Sequence, residues 1–233
     1  MRHAISLHTL ITFNPLMKKL IVFDLDGTLI NSLEDLADSA NWVLEQHRFP
    51  IHPVDDYRYF VGDGVRKLIE RILPPENRTE AQIELCRQEF VAYYKIHMED
   101  KTSVYEGTTE LLAELKARGL KIAVATNKVH SAVGPLMAKY FPGSRFDSLI
   151  GQREGIPVKP HPQIMYDILE QTGCTPDEAL HIGDTATDMQ LAQNAGVTPI
   201  GVLWGYRPLE ELQEAGARQI IKHPLDLLEI INI

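Results

Sequence analysis

The stretch LIVFDLDGTL, residues 20–29, sets an unbroken apolar run, Leu20-Ile21-Val22-Phe23, directly against two aspartates two positions apart. A run with no polar alternation reads as a central strand of a parallel sheet, covered on both faces. Gly27 and Thr28 then turn the chain. A carboxylate buried at the end of such a strand is costly unless a cation or several hydrogen-bond donors compensate it. Asp24 and Asp26 therefore either cap the next helix or stand at the rim of the sheet holding a cation.

Downstream, Leu33, Leu36, Ala37, Ala40, Val43 and Leu44 recur at helical spacing, predicting a helix over 31–49 that Pro50 and Pro53 end. Helical patterns continue over 63–73 and 79–98, and no strand signal precedes Leu120. From Glu106 the texture alternates. Helices are expected over 108–118, 129–140, 162–172, 186–195 and 208–215. Short apolar strands are expected over 120–125, 146–151, 179–183, 198–202 and 219–221, with a short final helix. Such alternation predicts an α/β fold with a doubly wound parallel sheet. The expected organisation is an α/β core from 17–31 and 104–233, interrupted by an all-helical inserted domain over 32–103. Met17-Lys18-Lys19 reads as a natural start, which makes 1–16 an N-terminal extension outside the chemistry. Its polar interruptions at His8, Thr9 and Thr12 do not suit a signal peptide.

The 233 residues carry 23 Lys and Arg against 32 Asp and Glu, a net charge of −9. This balance argues against a nucleic-acid or anionic-membrane surface, and an anionic substrate would need a local cationic pocket or a metal ion. Cys86 and Cys174 are isolated, as in a reduced cytoplasmic protein, and no apolar run is long enough to span a bilayer.

Ligands of open α/β sheets bind beyond the carboxyl ends of the strands. Those ends carry Asp24 and Asp26, Thr126-Asn127, Lys159 in the following loop, and Gly183-Asp184-Thr185-Ala186-Thr187-Asp188. Singly, each has an ordinary reading: a helix cap for the acids and for Thr126-Asn127, a solvated side chain for Lys159. Together they form the makings of a cation-plus-phosphate site. Mg²⁺ takes carboxylates, water and phosphate oxygens, while Lys159, Thr126 and backbone N–H groups suit phosphoryl oxygens.

In this order, DLDGT, TN, KP and GDTATD resemble the motifs of the haloacid dehalogenase-like (HAD) superfamily, specifically its phosphatases with a helical cap inserted after the first strand. The match runs from about residue 18 to the end. The resemblance implies a Rossmann-like core and an aspartyl-phosphate mechanism. Asp24 would be the nucleophile and Asp26 the general acid and base, with Thr126 and Lys159 holding the phosphoryl group. Asp24, Asp184 and the backbone carbonyl of Asp26 would bind Mg²⁺, with Asp188 supporting the metal shell. Asn31 departs from relatives that carry Asp there, but it lies beyond the metal-binding run. In the inserted domain, FVGDGVRKLIERIL (60–73) places Gly62 and Gly64 before a helix that opens on Arg66. It reads either as a plain helix start or as a specificity loop, in which Asn127, Gly62, Gly64 and Arg66 bind substrate and Arg66 meets a distal anion. The pattern resembles the phosphoglycolate phosphatase branch. The expected function is hydrolysis of a small phosphorylated metabolite, 2-phosphoglycolate first. A sugar-phosphate phosphomutase and a non-catalytic binding module are the alternatives. His161 and Trp204-Gly205-Tyr206 either touch the site or, as the more ordinary reading, serve packing or loop roles, and Trp42, Tyr93 and Tyr94 read as core or interface aromatics.

Overall fold

The computed structural model describes residues 18–231, so the expectation for 1–16 lies outside the described residues. Strand β1 (Leu20–Phe23) is buried along its whole length. Ile21 and Phe23 join one hydrophobic cluster and Leu20 and Val22 another, as the two-residue period of a strand between helical layers requires.

After β1 come the two-residue strand β2 (Ile30–Asn31) and helices α1 (Leu33–Gln46), α2 (Tyr57–Phe60), α3 (Val65–Ile72) and α4 (Glu80–His97). The chain returns through β3 (Ser103–Val104) to α5 (Thr108–Ala117), β4 (Lys121–Val129), α6 (His130–Tyr140), β5 (Ser148–Gln152) and α7 (Gln163–Thr172). It ends with β6 (Ala179–Gly183), α8 (Ala186–Asn194), β7 (Thr198–Val202), α9 (Leu209–Glu214), β8 (Gln219–Ile221) and α10 (Leu227–Ile230). The six-stranded sheet has the order β5-β4-β1-β6-β7-β8, and every pairing is parallel. The chain leaves β1 toward β4 and later crosses to β6 on its other side, so the carboxyl ends of these three strands face one crevice.

The helical segments α1 to α4 form the cap. The ribbon of β2 and β3 differs from the sequence reading: the two pair antiparallel, Ile30 opposite Val104 and Asn31 opposite Ser103, where no strand is expected between β1 and residue 120. Two residues are too few to show a period. Beside this ribbon, buried Asp35 on α1 accepts hydrogen bonds from Lys101 N at 2.8 Å, Thr102 N at 2.9 Å and Thr102 Oγ1 at 2.6 Å, tying the entry of the cap to its exit. Cys86 and Cys174 are both free and buried. Among the described residues, no helix is long and apolar enough to cross a membrane.

Candidate active site

Asp24 leaves β1 where its own N–H still donates to Ile182 O of β6 at 2.8 Å. Strand β4 runs on through Thr126, Asn127 and Lys128, beyond the end expected at 125. Beyond β6, Asp184 precedes Thr185, which caps α8, with Asp188 one turn on. Asp24, Asp184 and Asp188 are buried, each offering an oxygen within 4.8 Å of the others.

The three acids are not equivalent. Asp188 Oδ1 takes Lys159 Nζ at 2.8 Å and lies 3.1 Å from His181 Nε2, and its Oδ2 accepts from Thr185 Oγ1 at 2.7 Å. Burial works to raise its pKa, but the Lys159 and His181 partners prevail and hold the carboxyl well below the usual range. Asp184 accepts from Tyr206 N at 2.8 Å and Thr28 Oγ1 at 3.1 Å. Burial and the charges of Asp188 and Asp24 nonetheless push it up to about 8. Burial, followed by the charge of Asp188, likewise carries Asp24 up to about 7 against the pull of Lys159. Lys159 itself stays cationic: burial opposes its charge, yet Asp188 and Asp24 outweigh that cost and raise its pKa.

Whether a divalent cation fits here can be tested on Asp24. Lys159 Nζ lies 2.8 Å from Asp24 Oδ1 and also 2.8 Å from Asp188 Oδ1, so one ammonium is shared between two of the three buried acids. Three buried carboxylates grouped around one shared lysine are an incomplete charge balance, and hard oxygens of this kind suit Mg²⁺. The residues fit the cation.

Asp26 is elsewhere. Its Oδ1 accepts from Ser32 Oγ at 2.5 Å, and Lys128 Nζ lies 2.9 and 3.2 Å from its two oxygens. Its carboxylate is thus held by Ser32 and Lys128 and is not among the three acids that lie together; only its backbone carbonyl remains as an expected ligand. Lys128 also donates to Tyr94 Oη of the cap at 2.6 Å.

A cavity of about 330 Å³ lies between core and cap, with Asp24, Asp26, Thr126 and Lys128 in its lining. Gly62 and Gly64 line it from the cap side. Asn127 lines it too, but its side chain is committed. It donates to Gly62 O at 3.0 Å and Lys159 O at 3.2 Å and accepts from Lys159 N at 2.8 Å, so it positions the lysine loop and the cap rather than presenting a free amide. Arg66 is not part of the cavity. Its guanidinium lies outside, bonded to Glu80 at 2.8 and 2.6 Å and to Glu70 at 3.0 Å. On α3 the side chain following the glycine turn that reaches the cavity is Val65. The anion-reading role expected of Arg66 is thus corrected: carboxylates of its own cap hold it.

Sequence reasoning missed Lys128, His181, Ser32 and Tyr94, the last of which lines the cavity instead of only packing; Tyr206, one of the residues read as able to touch the site, lines it too. His181 carried a signal, as the one polar residue inside ALHIG. Lys128 carried little, since a lysine after a helix-start pair reads as solvated.

The sequence profile of the haloacid dehalogenase-like hydrolases matches residues 21–202. The chain belongs to this family. It is 32% identical over 219 residues to a phosphoglycolate phosphatase of Mannheimia succiniciproducens, an alignment covering 91% of this chain and 98% of that one. A phosphoglycolate phosphatase of Haemophilus influenzae is also 32% identical, with the same coverage. A crystal structure from Lactobacillus delbrueckii subsp. bulgaricus, provisionally assigned as a phosphoglycolate phosphatase, superposes with a TM-score of 0.87 at 31% identity, covering 93% of this chain and 99% of that one.

Proposed function

We propose that the chain is a Mg²⁺-dependent phosphatase that hydrolyses small phosphate monoesters through an aspartyl-phosphate, with 2-phosphoglycolate as its substrate. Asp24 attacks phosphorus and the ester oxygen leaves, taking a proton from Asp26. Asp26 then removes a proton from the water that cleaves the acyl phosphate, releasing inorganic phosphate and restoring Asp24. The Thr126 hydroxyl and the Lys159 ammonium hold phosphoryl oxygens, and Asp188 fixes Lys159 from behind. Asp24, Asp184 and the carbonyl of Asp26 would hold Mg²⁺, which when bound supplies positive charge against the phosphoryl oxygens. The core from 17–31 and 104–233 carries this machinery and the cap over 32–103 covers it, in a reducing, cytoplasmic setting that suits two free thiols.

The observation that carries the reading is Asp24: a buried carboxylate in the lining of a cavity, sharing the Lys159 ammonium with Asp188 and two residues from a further acid. The test is inorganic phosphate release from 2-phosphoglycolate and from sugar phosphates, with Mg²⁺ and with a chelator. Mg²⁺-dependent release, fastest on 2-phosphoglycolate, is expected. Isomerised sugar phosphate without net release would establish a phosphomutase instead, and inertness toward all the esters a non-catalytic module.

A further inference from the structure

We propose that Lys128 is the residue that binds the substrate's carboxylate, and that the substrates are phosphate esters of 2-hydroxy acids, in which a single carbon separates the ester oxygen from the carboxylate. The inference deepens the phosphatase reading and rests on it.

Among the described residues lining the cavity, the cations are Lys128 and Lys95. Lys95 is exposed, whereas the Lys128 side chain is 4% accessible. The cap wall is largely apolar, with Leu36, Val65, Leu68, Phe90 and Met98 in the lining. A carboxylate entering such a space loses its water and needs a buried cation in return. An ammonium has three N–H donors. The two Asp26 oxygens, at 2.9 and 3.2 Å, can share one N–H in a bifurcated bond and Tyr94 Oη takes a second, which leaves the third for a ligand.

Position then narrows the ligand. The leaving oxygen must meet Asp26 to receive its proton, and Lys128 Nζ sits 2.9 Å from Asp26 Oδ1. A group bound to Lys128 is therefore close to the ester oxygen itself. In a phosphorylated 2-hydroxy acid the carboxylate carbon is attached to the very carbon that bears that oxygen. An acid longer by one methylene holds its carboxylate farther from the ester oxygen, and so fits a cation beside Asp26 less well.

The test compares kcat/KM on 2-phosphoglycolate, on 3-phosphooxypropanoate and on ethyl phosphate, which lacks the carboxylate, for the unmodified protein and Lys128→Met. The unmodified protein is expected to prefer 2-phosphoglycolate over both others. Because truncating one partner of a desolvated charge pair costs about 2–5 kcal/mol, Lys128→Met should cut the ratio of 2-phosphoglycolate to ethyl phosphate by about 30-fold or more. Lys128→Arg should keep part of that ratio. Any change that reaches only Asp26 lowers all three rates together and leaves the ratio unmoved; that result would overturn the assignment while leaving the phosphatase reading standing. An unmodified protein that hydrolyses ethyl phosphate as well as 2-phosphoglycolate would instead overturn the substrate reading, and the carboxylate site with it. If Lys128→Met does not fold, Lys128→Gln, which retains donors toward Asp26 and Tyr94, serves the same comparison.

Discussion

Gly27 shows how little freedom single residues have around the acids. Its φ is +88°, and a Cβ there would stand 2.3 Å from Asp184 Oδ2. Gly27→Ala must therefore displace the Asp184 carboxylate as well as strain the turn. The expected outcome is a loss of more than about tenfold in kcat/KM with a raised Mg²⁺ requirement, given that such strain costs on the order of 1–3 kcal/mol; unchanged Mg²⁺ dependence would contradict it. Arg66 makes the opposite case. It is tied to Glu70 and Glu80 on the outside of the cap, and exposed pairs of this kind contribute little. Arg66→Ala is expected to leave kcat/KM within about twofold on 2-phosphoglycolate and on ethyl phosphate alike. A selective loss on the anionic ester would restore Arg66 as the reader of the substrate.

Acid titration at the same site has a definite sign. Asp24 and Asp184 rise from an ordinary 3.8 to about 7 and about 8, so the folded protein binds their protons more tightly than the unfolded chain does. Without metal, the stability they contribute falls as pH rises from about 4 to about 8. A cation bound among the acids relieves that repulsion, so the rise in melting temperature on adding Mg²⁺ should be larger at about pH 8 than at about pH 5. Equal increments at the two values would contradict the account.

At the scale of elements, the legible parts of the sequence were those with a long period or a sharp break. The apolar run of β1 and the helix–strand alternation after Glu106 needed only burial on two faces to be read, and each expected strand from β4 to β8 is present, with ends displaced by up to four residues. Strand β4 runs furthest beyond its expectation, through Val129, because Thr126, Asn127 and Lys128 look like a helix start although they still lie in the extended strand. Residues whose roles depend on contacts across the cap were not legible. Tyr94 and Lys128 are 34 positions apart and meet only once α4 folds over β4. Asp35 is similar: on the helix it reads as one more acid, and only the return of the chain at Thr102 explains its burial. Asp35→Asn turns donors toward donors, and leaving such buried groups unsatisfied costs about 1–3 kcal/mol each. A lower urea midpoint with unchanged slope is expected; an unchanged midpoint would mean that the ribbon of β2 and β3 holds the cap junction without Asp35.

For the molecule as a whole, the cap is seated on the core through contacts from several elements. Asn127 reaches Gly62 O at 3.0 Å, Arg207 reaches Val61 O at 3.1 Å, Arg58 reaches Gly205 O at 3.2 Å, and Thr187 donates to Asp63 at 2.5 Å. All of the cap groups in these contacts fall within residues 58–63, so one short segment of the cap carries much of the seam above Asp24. Closing that seam removes water from the reaction and strengthens the charges beneath it. The central claim is that the phosphoryl group passes through Asp24, and a rapid acid quench of the Mg²⁺-loaded protein turning over 2-phosphoglycolate tests it most directly. Peptide mass mapping should find a single phosphoryl group on the peptide containing Asp24, with no such species and no turnover in Asp24→Asn. A phosphorylated residue other than Asp24, or an Asp24→Asn protein still releasing phosphate near the unmodified rate, would contradict it.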